Sequence, residues 1–217
     1  MNTRPTSSQL AALSRSDPKM GKLLKQVGPF PDLKRQNTAD SHFHALARTI
    51  IYQQLAGKAA ATIHNRFRSL TPGTRFPSAE EVCALRKASF RKAGISGSKH
   101  KALKALASAV TKGQIKLRSL SRLDDDRIIE QLTQLHGIGE WSAQMFLMFR
   151  LGRLNVMPTT DLGIQEGLRV LDSLDRRPKP LELRERSRKW APLCSVASWC
   201  LYRAVDQDRA RRRESSA

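Results

Sequence analysis

Cysteine is scarce in this 217-residue chain, and the three that occur, Cys83, Cys194 and Cys200, stand singly. Three thiols cannot supply the four thiolates of an iron–sulfur cluster, and they read as small apolar side chains in a reducing compartment. No apolar run approaches the ~20 residues of a membrane span. Residues 1–20 also lack the apolar centre of a signal peptide, so a soluble intracellular protein without membrane contact is expected. No His/Cys/carboxylate spacing suggests zinc, no P-loop is present and no unit repeats at a fixed period. Alternating strand patterns are missing as well. Acidic residues are in deficit: 19 Asp+Glu face 39 Lys+Arg, a formal net charge of +20. A polyanionic partner, nucleic acid first of all, follows from that imbalance.

What is present is helical. Apolar periodicity predicts helices over 41–55, 58–70, 78–84, 88–93, 98–112, 124–135, 140–151, 161–174, 180–189 and 192–205, separated by Gly/Pro-punctuated loops such as 71–77 and 94–97. The fold class expected is all-α, a two-lobed bundle with a cleft between lobes. Residues 1–18 read as a polar, extended or partly disordered segment in which Leu10 and Leu13 could dock. Residues 19–206 read as the core, and 207–217, with RARRR at 209–213, as a disordered basic tail adding unspecific affinity. Lys19, Lys22, Lys25, Lys34, Arg35, Arg66, Arg68, Arg86, Lys87, Arg91, Lys92, Lys99, Lys101 and Lys104 spread the charge over the body. That spread reads as a binding surface rather than a solvated face.

The stretch 132–164, LTQLHGIGEWSAQMFLMFRLGRLNVMPTTDLGI, carries most information. Gly137-Ile138-Gly139 joins two apolar-faced helices. The two glycines permit left-handed backbone and close approach to another molecule, while Ile138 can plug the turn into the core. The N–H groups of Gly137, Ile138, Gly139 and Glu140, at the start of the second helix, then form an anion site that would grip DNA phosphate without reading sequence. A plain helical hairpin with a glycine cap is the simpler alternative. Downstream, Asp161 reads as a helix N-cap. Were the returning segment 152–160 to bring it back to the hairpin, its carboxylate could stabilise positive charge on a deoxyribose or orient water against C1′.

HGIGEWSAQMFLMFRLGRLNVMPTTDLGI closely resembles the helix-hairpin-helix/Gly-Pro-Asp superfamily of DNA glycosylases, in particular the alkylation-repair branch, 3-methyladenine DNA glycosylase II. The likeness extends to 45–66 (ALARTIIYQQLAGKAAATIHNR), 94–103 (GISGSKHKAL) and 190–205 (WAPLCSVASWCLYRAV). It implies an all-α enzyme that flips an alkylated purine out of double-stranded DNA and hydrolyses its N-glycosidic bond, leaving an abasic site. It gives Asp161 the role of catalytic aspartate and places Trp141 in the base pocket, where its ring would stack on a cationic base. Core packing is the plainer role for Trp141. Related bifunctional enzymes carry a lysine there, so tryptophan implies a monofunctional hydrolase.

The same resemblance makes Gln54, then Leu55, the candidates for the wedge that fills the gap left by the flipped nucleotide. Exposed Gln54 and core Leu55 are the structural alternatives. Leu193 takes a pocket position where relatives commonly carry an aromatic, Cys194 stands where an arginine is common, and Met145, also in the pocket, sits where some relatives place an aromatic. Lesion range is therefore left open by the residues. No cofactor is implied, although the backbone carbonyls of Thr133, Leu135 and Ile138 could hold a monovalent cation, Na+ or K+, bridging to phosphate. The expected location is the cytoplasm, with the nucleoid, in a bacterium and the nucleus in a eukaryote, and the expected state is a monomer. A non-enzymatic or weakly active damaged-DNA-binding protein is the alternative function.

Overall fold

Most of the long helices start at a hydroxyl or carboxylate side chain that accepts a hydrogen bond from the backbone N–H three residues on. Thr6, Asp17, Ser41, Ser78, Ser96, Asp124 and Asp161 all do this, satisfying one of the donors that a helix start leaves open. In the computed structural model, which describes residues 3–36, 39–55, 57–73 and 75–215, no strand is found among the described residues. Residues 1–2, 216–217 and Thr74, parts of the expected termini and of the 71–77 loop, lie outside them.

In chain order the helices are α1 (Ser7–Ser16), α2 (Pro18–Val27), α3 (Leu33–Gln36), α4 (His42–Tyr52), α5 (Gly57–Arg68), α6 (Ala79–Ala84), α7 (Lys87–Ala93), α8 (Gly97–Thr111), α9 (Asp125–Thr133), α10 (Glu140–Met145), α11 (Leu162–Asp172), α12 (Pro180–Ser187) and α13 (Cys194–Glu214). Phe146–Leu151 continues α10 as a wider π-turn, and Leu117–Arg122 and Arg188–Trp190 are tight 3-10 turns. None of these helices is long and apolar enough to cross a membrane.

Two compact units emerge from the chain path: Met1–Gln36 with Gly152–Ala217, and Asn37–Leu151. In the first, Leu13, Met20, Leu23, Ile164, Leu168, Leu183, Trp190, Val196 and Leu201 form a dry core. Its helices approach closely through small residues. A Cβ on Gly167 of α11 would collide with the Leu201 carbonyl of α13, and one on Gly21 would stand 2.8 Å from Ser14 Cβ. The N-terminal segment departs from the expectation of extended chain. A Thr6/Gln9 capping box starts α1, which buries Leu13. Asp17, buried to 1% exposure, then ties the α1–α2 corner to α12 and the turn after it, accepting from Arg186 (2.6 Å) and Trp190 Nε1 (2.7 Å). Burial alone would raise this carboxyl's pKa, but the Arg186, Trp190 and Met20 hydrogen bonds and the Arg186 charge bring it down to about 2. The basic tail also departs from expectation, continuing α13 as helix to Glu214 with Arg212 paired to Asp208 one turn earlier (2.9 Å).

In the second unit Phe43, Leu46, Ile50, Phe67, Phe90, Leu103, Leu106, Ile128, Leu132 and Phe146 fill the core. Two buried histidines sit among them. His44 and His64 stack with Phe76, and their Nε2 atoms are 2.9 Å apart. His44 Nδ1 accepts from the Asp40 N–H (3.0 Å), which leaves its Nε2 as the donor to His64. Burial is the largest cause that lowers His44 to about 4, with the nearby His64, Arg48 and Arg68 charges adding to it and Asp40 opposing; burial lowers His64 as well.

Two basic residues expected on the binding surface turn inward in this unit. Lys99 Nζ donates to the carbonyls of Ile51 (2.7 Å) and Gln53 (2.8 Å), closing the C-terminus of α4. Lys104 Nζ does the same for α6 at Cys83 (2.7 Å) and Leu85 (2.8 Å). The last carbonyls of a helix lack intrahelical partners and carry partial negative charge, so an ammonium is a suitable cap.

Candidate active site

The hairpin of the second unit is built around Gly137. Its φ of +84° is left-handed, and a Cβ there would collide with Ala102 of α8, so glycine is required twice over. Ile138 is buried to 3% exposure and plugs the turn, as its place between two glycines predicts. Gly139 differs from expectation: its backbone is extended (φ −95°). Nothing lies within 4 Å of where its Cβ would be, so its use is open access rather than backbone freedom. No side chain caps α10 at Gly139, and the exposed turn presents the first N–H groups of the helix. Glu140 would repel an anion there, but Gln144 holds its carboxylate from one turn on (2.9 Å).

Gln53 joins this hairpin to the end of α4. Its side-chain amide donates to the Gly137 carbonyl (3.0 Å) and to the Ser142 hydroxyl (2.9 Å), while its own carbonyl receives Lys99. The predicted 41–55 helix therefore stops at Tyr52. Gln54 follows with φ +54°, left-handed backbone uncommon for a residue with a side chain. Gln54 and Leu55 both project from this tip as exposed side chains, Leu55 at 38%. The plainer alternative for Leu55, a core position, does not hold, and the structure brings both wedge candidates to a braced loop beside the hairpin.

Trp141, second residue of α10, is half-buried, whereas Trp190 of the first unit is fully enclosed. Met145, one turn on, is buried at 8%. Leu193 lies at the head of α13, and at 2% exposure it belongs to the core that contains Trp190 and Val196, with almost no surface left to contact a base. Beside it Cys194 is buried too, and burial pushes its thiol to about 11, and that of Cys200 to about 12, so neither is a thiolate near neutrality. Cys83 is half-buried.

Asp161 belongs to the first unit. It caps α11, its Oδ1 accepting from Ile164 N–H (2.9 Å), and it is buried to 9% exposure. Gln165 returns from the first turn to the Thr159 carbonyl (2.9 Å) and fixes the loop that delivers it. Tyr202 of α13 lies against the start of α11 beside the Asp161 carboxylate: a Cβ on Gly163 would stand 2.8 Å from Tyr202 Cε1 and 3.1 Å from Asp161 Oδ1. Sequence reasoning passed over Tyr202. No sequence signal points to it, because its place depends on the register between α11 and α13.

Of the carbonyls expected to hold a cation, that of Leu135 accepts from Ile138 N–H (3.0 Å) and keeps a second lone pair. Among the described residues no group of three or more His, Cys, Asp or Glu side chains could hold a metal ion.

Residues 47–193 match the model of the HhH-GPD superfamily of base excision DNA repair proteins. The chain is 35% identical over 192 residues to DNA-3-methyladenine glycosylase 1 of Schizosaccharomyces pombe, spanning 88% of this chain and 84% of that relative. Among solved structures it is similar to S. pombe 3-methyladenine DNA glycosylase (Mag1) in complex with abasic DNA, with a TM-score of 0.83, 33% identity, and coverage of 90% of this chain and 95% of that one. It is also similar to a DNA-3-methyladenine glycosidase from Bacillus halodurans, with a TM-score of 0.77, 29% identity and coverage of 91% and 89%.

Proposed function

The chain belongs to the HhH-GPD superfamily of base excision DNA repair proteins, and from that premise we propose that it is a monofunctional DNA glycosylase that releases alkylated purines from double-stranded DNA. The observation that carries the reading is Asp161: a buried carboxylate, oriented by a peptide N–H, on the position to which the resemblance gives the catalytic role.

The chemistry asks little of the protein beyond placement and charge. A purine methylated at N3 or N7 carries a positive charge, so the C1′–N bond breaks with the electron pair leaving on a base that becomes neutral. The sugar becomes oxocarbenium-like, and Asp161 stabilises that charge and orients the water that adds to C1′. The water loses a proton, and an abasic sugar remains. Trp141 offers an aromatic face to the cationic base, and it has no amine to attack C1′, so no covalent intermediate and no strand cleavage follow.

The turn at Gly137–Glu140 would hold a phosphate, and Gln54 with Leu55 would fill the space vacated by the flipped base. Thr133, Leu135 and Ile138 carbonyls, neutral oxygen donors, would suit a weakly held Na+ or K+ that screens the phosphate; no step of the reaction runs through it. A DNA substrate places the protein with the chromosome, at the nucleoid of a bacterium or in the nucleus of a eukaryote.

The test is direct. Wild-type chain is incubated with a panel of duplexes, each with one defined lesion. Release of free 3-methyladenine or 7-methylguanine, leaving abasic sites and intact strands, is expected. Tight binding to the same duplexes with no base released would replace this reading by the non-enzymatic one.

A further inference from the structure

Ser195, Ser198 and Tyr202 follow one another on α13 at intervals of three and four residues, so they share one face of the helix. That face meets the segment 154–161 that leads into α11. Ser195 N–H donates to the Leu154 carbonyl (2.9 Å), and the Ser195 hydroxyl accepts from Val156 N–H (3.0 Å). Ser198 Oγ lies 3.7 Å from the sulfur of Met157. Tyr202 ends the row at Asp161. The row sets the register of the segment, and its last member stands beside the carboxylate.

The contact is tight from the other side as well. At Gly163 a Cβ would stand 2.8 Å from Tyr202 Cε1 and 3.1 Å from Asp161 Oδ1, so only glycine lets the ring lie against the start of α11. Burial first, then the Asp161 charge and hydrogen bond, push the Tyr202 phenol well above its ordinary range. The hydroxyl therefore stays protonated near neutrality, a donor available to the carboxylate.

We propose that Tyr202 is a positioning residue: its hydroxyl, with the Ile164 N–H, fixes the orientation of the Asp161 carboxylate for reaction at C1′. The proposal rests on the reading of Asp161 as the catalytic carboxylate. A phenol beside the carboxylate adds a second neutral donor to that of the Ile164 N–H and limits the rotation of the carboxylate. Placement errors of about 1 Å cost on the order of a hundredfold in rate.

Tyr202→Phe keeps the ring against Gly163 and removes only the donor. Single-turnover release of 3-methyladenine should fall about ten- to a hundredfold, while affinity for a duplex carrying an abasic-site analogue and the unfolding temperature stay at wild-type values. Gly163→Ala, which displaces the ring, should reproduce the rate loss. Asp161→Asn is run beside them. If Asp161→Asn is inactive and Tyr202→Phe keeps the wild-type rate, the positioning role is wrong and the catalytic assignment stands. If Tyr202→Phe loses rate, affinity and unfolding temperature together, the tyrosine is only structural and the proposal fails. If Asp161→Asn itself turns over like wild type, the reading beneath the proposal fails.

Discussion

Asp17 and Asp161 start two helices of the same unit in the same way, but their tertiary surroundings differ. Each is buried, at 1% and 9% exposure, and each caps its helix through Oδ1, Asp17 from Met20 N–H (3.3 Å) and Asp161 from Ile164 N–H (2.9 Å). Beyond the cap they diverge. The second oxygen of Asp17 receives the Arg186 guanidinium (2.6 Å) and the Trp190 indole (2.7 Å), with Lys189 Nζ at 3.5 Å. Asp161 has the Tyr202 ring beside it at Gly163. The guanidinium on Asp17 makes that carboxylate part of the scaffold. An N-cap by itself is therefore no argument for or against catalysis.

The largest effect on stability should come from breaking the scaffold member of that pair. Asp17→Asn leaves Arg186 without its most buried partner, and loss of one member of such a pair costs about 3–5 kcal/mol. Denaturant unfolding measures it, and a loss below about 1 kcal/mol would reduce the cluster to an ordinary surface bridge.

Acid should sharpen the contrast further, because it acts on the second unit first. His44 binds its proton at about 4 in the folded chain against 6.5 ordinarily, so the unfolded chain takes up more protons between those values. The stability due to the neutral His44–His64 pair is whole above pH 6.5 and is lost as pH falls toward 4, on the order of 2 kcal/mol. The Asp17 contribution survives that range, fading only from about 3.8 toward 2. His44→Gln should flatten the stability profile between pH 6.5 and 4, and an unchanged slope would show that His44 does not titrate there.

A smaller effect belongs to Trp141. Its half-exposed ring should favour a cationic base by about 0.5–2 kcal/mol. Trp141→Ala should therefore slow release of 3-methyladenine more than release of a neutral lesion such as hypoxanthine, measured in single turnover. Equal losses on both would mean that the ring only shapes the pocket.

Much of this molecule is legible in its sequence, and the gaps have physical causes. The long helices follow from apolar periodicity, and Ile138 and the capping role of Asp161 follow from local chemistry. The α1–α2 corner was hidden because α1 has few apolar residues of its own; what fixes it is Asp17 meeting Arg186 from 169 residues away. Gln53 and Gln54 continue the helical pattern of α4 in sequence, yet the chain leaves the helix there because the Gly137 carbonyl and Lys99 take hold of Gln53. Lys99 and Lys104 count as surface charge in any composition and serve as helix caps in the fold. Leu193 fits a pocket position by motif and a core position by packing. Tyr202 was invisible because its role depends on the register between α11 and α13, which periodicity does not specify.

The most direct test sets the two aspartates against each other. Asp161→Asn and Asp17→Asn are prepared in parallel, and for each the unfolding temperature and the single-turnover release of 3-methyladenine are measured above pH 7, where the histidine pair is neutral. The expected result is a crossing: Asp161→Asn melts near wild type and loses at least about a thousandfold in rate, some 4 kcal/mol at 1.36 kcal/mol per decade, while Asp17→Asn melts early and its folded fraction releases base at close to the wild-type rate. Wild-type turnover by Asp161→Asn would contradict the account at its centre.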